Sequence, residues 1–191
     1  MFRLSKPAVP SMRGNRTKPL ALERRTMTLA EINQLSREAF VEAVGWVFEH
    51  SPWIAEQAWE ARPWDSLKAL HRAMVRRVQE APQEAQLALI RAHPDLGSRA
   101  RMAPASVSEQ KGAGLDALSP EEFRRIQALN QAYTARFGFP FILAVRGKTK
   151  ADVLRAMEQR LQNHPELEFQ TALEEIYKIA YFRLADLLDK A

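Results

Sequence analysis

The 191-residue chain has no cysteine, which excludes disulfides, thiolate metal sites and cysteine nucleophiles. Glycine is scarce, with seven in all, and no phosphate loop or dinucleotide fingerprint is present. The one close pair, Gly112-Ala113-Gly114, follows a helical stretch rather than a strand. No uninterrupted apolar run approaches the roughly 18–20 residues needed to span a bilayer. The four histidines (His50, His71, His93 and His164) never pair at metal-ligand spacing, and neither His-Glu-x-x-His nor a paired-aspartate calcium pattern occurs. Ser119 lacks the surroundings of a nucleophile elbow.

An overall basic surface is also missing, despite a formal charge of +5. Residues 1–27 hold seven basic residues against the single acid Glu23, a net of +6, which leaves −1 for residues 28–191. The body has no overall positive excess with which to bind a phosphate backbone. We therefore expect no nucleic-acid partner; no membrane partner and a cytoplasmic location are expected as well.

What is present suits one folded domain. At 46% hydrophobic and 27% charged, the chain is long enough for a self-sufficient core. The first 26 residues are acid-poor, broken by Pro7, Pro10 and Pro19, and lack the apolar centre of a secretory signal. They read as a disordered extension, or as residues upstream of a true start at Met27; an Arg-rich leader of this kind also resembles an organellar transit peptide. Residues 28–191 read as a single all-α domain.

Helical periodicity dominates that body. Thr28 and Glu31 predict a capping box opening a short helix to Gln34, and Ser36 opens a longer one through Phe40, Val41, Val44 and Phe48 to Pro52. A brief turn is expected over 52–60. Asp65 is read as the cap of a helix from Ser66 to Glu80, and Pro82 and Pro94 bracket the next. Residues 94–106 read as loop, and a short helix follows at 107–112. Ser119-Pro120-Glu121-Glu122 is a strong helix start, and the run continues to Arg136. Phe139 to Val145 is extended but too isolated to form a sheet, so it is expected to thread between helices. Helices over 149–163 and 166–189 complete an irregular multi-helix bundle with one short buried extended segment.

Polar residues beside the interruptions are the candidates for chemistry. His93 ends a helix against Pro94 and Asp95. Its imidazole suits proton transfer near neutrality, but it would equally bind its own helix's last carbonyls. Ser106 and Glu109 stand in the spacing of a capping box, which needs no further reason to exist. Arg146 follows the apolar run; its donor fork suits a carbonyl or carboxylate, and a solvated strand-end charge is the plainer alternative.

Taken together, several strings resemble the OHCU decarboxylase family: His93-Pro94-Asp95-Leu96-Gly97, Ser106-x-x-Glu109-Gln110, Gly114-Leu115-Asp116, Leu129-Asn130-x-x-Tyr133, and Arg136-Phe137-Gly138-Phe139-Pro140-Phe141-Ile142 with Val145-Arg146-Gly147. The run Phe48-Glu49-His50-Ser51-Pro52-Trp53 and the closing Glu175-Ile176 and Arg183-Leu184 also fit, in matching order over residues 28–191. The resemblance implies an all-α homodimeric enzyme of urate degradation, without cofactor or metal. It would convert 2-oxo-4-hydroxy-4-carboxy-5-ureidoimidazoline to (S)-allantoin, downstream of a urate oxidase and a hydroxyisourate hydrolase. It implies His93 and Glu109 as catalytic residues. Ser106 and Arg146 are implied as substrate-binding, together with Pro94 and the Phe139, Ile142 and Val145 positions of the extended stretch.

The chemistry makes these residue types intelligible. Ring carbon C4 of that substrate carries both the carboxylate and a hydroxyl, beside a C5–N double bond. Electrons released with carbon dioxide can enter this conjugated system, so no external electron sink is needed. The alternative from another class is a helical protein-protein or nucleic-acid binding module without catalysis, whose polar motifs would be scattered caps. A ureide hydrolase is a second enzyme alternative.

Overall fold

The computed structural model describes residues 26–98 and 102–188. Of the leader read as an extension, only Thr26 falls within them. Nine α-helices are found among the described residues, and the one β-bridge is an isolated parallel pairing of Met27 with Leu188. The all-α expectation holds. No described helix is long and apolar enough to cross a membrane.

The first two helices, α1 (Leu29–Gln34) and α2 (Arg37–Val44), start where the caps predict, on Thr28 with Glu31 and on Ser36. The second stops at Val44, four residues before the Phe48 expected from its spacing. Val47 and Phe48 are still fully buried, but from a turn that also carries Glu49 inward. The expected turn after Pro52 is instead a helix, α3 (Trp53–Ala58), followed by a 3-10 turn over Trp59–Ala61. Ile54, Ala55 and Ala58 give it a fully buried face. The cap of α4 (Leu67–Glu80) is Ser66, whose Oγ accepts from the Ala69 amide at 3.1 Å; Asp65 instead accepts from that same hydroxyl.

After α5 (Gln83–Arg91), α6 (Pro104–Gly112) begins three residues earlier than expected. Proline is favoured in the first helical turn because its missing N–H would be unpaired there anyway. Next, α7 (Pro120–Phe137) ends on Gly138 in the left-handed region, at φ 78°. The extended run 139–145 follows, then α8 (Lys150–Arg160) and α9 (Pro165–Leu187). At 23 residues, α9 is about 35 Å long and forms the spine, packing against α4, α5 and α7.

The extended run has no sheet to hold it, so its backbone is tied by side chains. Arg91 donates to the Gly138 carbonyl at 3.1 Å, Arg160 to that of Ile142 at 2.6 Å, and the Ala144 amide donates to Glu175 at 2.8 Å. Arg160 also bonds the fully buried Glu168 at 2.7 Å, which accepts from Asn163 at 2.8 Å and from the Tyr133 hydroxyl. One buried carboxylate thus joins α7, α8 and α9, and through Arg160 fixes the run between them.

Candidate active site

Four structural pieces converge on one small cavity: the end of α5 with His93 and Pro94, α6 with Ser106 and Glu109, the run from Phe141 to Val145, and α9 with Arg183. The cavity measures about 30 Å³. It adjoins a chamber of about 480 Å³, and Glu109 and Arg183 line both.

His93 is buried, and its Nδ1 lies 3.0 Å from the carbonyl oxygen of Leu89, one turn back on α5. A carbonyl only accepts, so Nδ1 carries the proton and Nε2 keeps its lone pair. The helix-end reading of this histidine is thus met by Nδ1, and Nε2 is the ring nitrogen left over. Burial drives its pKa down to about 4, against opposing pulls from the Leu89 carbonyl and the Glu49 carboxylate. The ring is neutral at physiological pH. The loop behind it is held by Gln110, which accepts from the Gly97 amide at 2.8 Å, and by Asn130, which donates to the Leu96 carbonyl at 2.9 Å. Gly97 has φ +67°, and a Cβ there would come within 3.0 Å of Ile126, so the turn requires glycine.

Ser106 is not a cap. The N-cap of α6 is Ala103, and Ser106 lies inside the helix, 4% exposed. Its Oγ sits 3.1 Å from both oxygens of Glu49, to which its single proton is given, and accepts from Arg183 Nη2 at 3.2 Å.

Arg183 ties the site together. Its Nε and Nη2 donate to the two oxygens of Glu109 at 2.7 and 2.9 Å, a fork-on-fork pairing. Its Nη1 donates to Glu49 at 2.9 Å and to the Val47 carbonyl at 3.3 Å. With the Ser106 contact, five acceptors meet the five N–H groups of one guanidinium that is 3% exposed. Burial opposes its charge, but the two carboxylates outweigh that and raise its pKa, so it stays a cation.

Of the residues expected to form a site, His93, Pro94, Ser106, Glu109, Ile142 and Val145 line the small cavity. Arg146 does not. It stands in the adjoining chamber, half-exposed, bidentate to Asp186 and with its guanidinium 4.6 Å from the Phe182 ring centre. Phe139 lies outside the cavity too, because the start of the run joins an aromatic cluster with Tyr133, Phe137 and Phe169. Three of the four polar candidates thus share one cavity, and the fourth lies in the chamber next to it. Among the described residues, no three His, Asp or Glu side chains converge as metal ligands would.

Glu49 and Arg183 are central to the geometry, yet motif spacing alone gave neither a role. A signal existed for Arg183, which interrupts the apolar face formed by Ile176, Ile179, Ala180, Leu184 and Leu187. A charge there must be paired, and the sequence does not say with what.

The OHCU decarboxylase family profile matches residues 33–185. The chain belongs to the OHCU decarboxylase family. The 2-oxo-4-hydroxy-4-carboxy-5-ureidoimidazoline decarboxylase of Haloferax volcanii is 46% identical over 160 residues, 84% of this chain and 95% of that protein. The uric acid degradation bifunctional protein PucL of Bacillus subtilis is 48% identical over 161 residues, 84% of this chain but 33% of its own length. A crystal structure of (S)-allantoin synthase superposes with a TM-score of 0.72 at 33% identity, covering 85% of this chain and 55% of that one. For an OHCU decarboxylase family member the enzyme reading stands, and the binding-module alternative falls.

Proposed function

We propose that the His93 cavity is where 2-oxo-4-hydroxy-4-carboxy-5-ureidoimidazoline loses its carboxylate to give (S)-allantoin. The observation that carries this assignment is the neutral, buried His93, with Nδ1 committed to Leu89 and Nε2 left as a base. His93 takes the C4 hydroxyl proton. The C4–carboxylate bond breaks to release carbon dioxide, its electron pair forms a C4–C5 double bond, and the former C5–N electrons move onto nitrogen, which is protonated. The resulting enolate returns to the C4 carbonyl as C5 takes a proton on one face. In sum, the substrate anion gains one proton and loses carbon dioxide.

The chain's own groups supply position and proton control. Glu109 stands at the neck of the cavity, where it assists His93. Ser106 and the backbone of the Phe141–Val145 stretch form walls against which a planar ring is oriented. Holding the ring by one face restricts protonation at C5 to a single side, which solution chemistry does not do. Arg146 offers donors at the outer end of the larger chamber, where a ring or ureido carbonyl passes.

The reading takes the enzyme as a cytoplasmic homodimer, served by a urate oxidase and a hydroxyisourate hydrolase. Large apolar side chains at the surface, Val107 and Leu167, and half-exposed Tyr181 support self-association, and a relative named for bifunctional urate degradation supports the pathway. Solution scattering at micromolar concentration is expected to give twice the chain mass; a monomer mass contradicts the dimer.

The reaction is tested by making the substrate in place from urate with those two enzymes and adding this protein. One carbon dioxide per urate and a circular dichroism signal of (S)-allantoin are expected. Ring opening without carbon dioxide would instead identify a ureide hydrolase.

A further inference from the structure

Two features of the site are incompatible with substrate binding as it stands. The His93 cavity, about 30 Å³, has room for little more than a water and is far too small for a ring bearing a ureido group and a carboxylate. The buried cation that an anionic substrate would seek, Arg183, has all five N–H groups engaged. Something must leave Arg183 before a carboxylate can reach it.

The partners differ in how easily they leave. Glu49 is 1% exposed and also holds Ser106, so freeing it would strand a carboxylate in the core. The side chain of Glu109 is 23% exposed and lines the chamber of about 480 Å³, where water can take over its solvation. Its two oxygens sit on the Nε and Nη2 edge, which is the bidentate geometry that any carboxylate would adopt there.

We propose that Glu109 is an internal stand-in for the substrate's carboxylate: it occupies the Nε and Nη2 edge of Arg183 in the empty enzyme and is displaced by the carboxylate that will be lost. The proposal rests on the decarboxylase reading and deepens it. The exchange opens the neck between the two chambers and frees Glu109 beside His93 only when a substrate of the right charge has arrived. Glu49 stays on Nη1 throughout. The incoming carboxylate therefore meets a guanidinium already partly neutralised, oriented by it but not strongly stabilised against departure as neutral carbon dioxide.

Binding of two stable ring compounds tests this without turnover. Hydantoin-5-acetate carries a carboxylate, and allantoin does not. In calorimetric titrations, Glu109→Gln replaces an ionic competitor with a neutral one, so hydantoin-5-acetate should bind about tenfold tighter than to the unaltered enzyme. Allantoin affinity should change by less than about twofold, since no exchange on Arg183 is needed. Glu109→Ala, which removes the competitor outright, should show the same charge-selective gain. If Glu109 merely supports Arg183, both variants will bind both compounds more weakly. That result overturns the proposal, as does equal change for both compounds or no detectable hydantoin-5-acetate binding to either variant. The decarboxylase reading fails separately, if the unaltered enzyme releases carbon dioxide from fresh substrate no faster than buffer alone.

Discussion

The Nδ1 of His93 donates to the Leu89 carbonyl at 3.0 Å, so a bond that terminates α5 also selects the tautomer of the cavity's only described histidine. A helix end normally leaves such carbonyls to water. Here the last turn of α5 aims a ring at the cavity and holds its free nitrogen in the acceptor state.

His93→Asn keeps much of the side-chain size but has no titrating nitrogen. Turnover should fall by roughly 10²–10⁴-fold, as expected for loss of a general base. Far-UV circular dichroism should be unchanged.

The same substitution should alter acid stability. An unfolded histidine titrates near 6.5, whereas the folded ring titrates at about 4 because burial disfavours the cation. Between those values the unfolded chain binds a proton that the folded protein does not, so stability is lost as pH falls through this window. Urea unfolding at pH 7 and pH 4.5 should show a smaller difference for His93→Asn than for the unaltered protein. An identical difference would show that the ring is not held neutral.

Arg160→Ala should be strongly destabilising. It removes the cation from Glu168, which is fully buried, and releases the Ile142 carbonyl. Stranding a buried charge costs about 3–5 kcal/mol, and urea denaturation should show it. Glu168→Gln, which leaves a neutral hydrogen-bonding group, should cost less.

Two serines separate helix capping from site chemistry. Ser119 accepts from the Glu122 amide at 3.1 Å in a true capping box, and Ser119→Ala should cost about 1 kcal/mol with activity retained. Ser106 bonds Glu49 and Arg183 instead, so Ser106→Ala should lower kcat/KM well beyond its effect on thermal stability. Equal activity in both variants would count against a site role for Ser106.

Arg146→Lys retains the charge but not the fork that pairs with Asp186. Because Arg146 stands in the outer chamber, KM should rise more than kcat falls. A fall confined to kcat would instead place this arginine at the reacting bond.

Much of this architecture was legible in the sequence because it is local. Capping boxes at Thr28 and Ser119 marked two helix starts, and Pro82 and Pro94 bracketed α5. Where local rules competed, they pointed to the wrong boundary. Ser106 and Glu109 fit a capping box, which hid the earlier start at Pro104 and made a buried serine look like a terminus. Val47 and Phe48 continue a helical period but are buried from a turn, since burial does not require the helix to continue. The Glu49–Arg183 ion pair spans 134 positions in the chain. Only the folded packing of the turn after α2 against α9 shows that two isolated charges are partners.

The pH dependence of kcat on freshly generated substrate, measured by stopped flow with brief pH jumps, tests the central claim most directly. A base held neutral by burial predicts a rate that is level through neutrality and falls only as pH approaches about 4, where His93 takes up its proton. A rate that rises as pH drops through 6.5 would mean that the protonated ring is the working form, and would contradict the account.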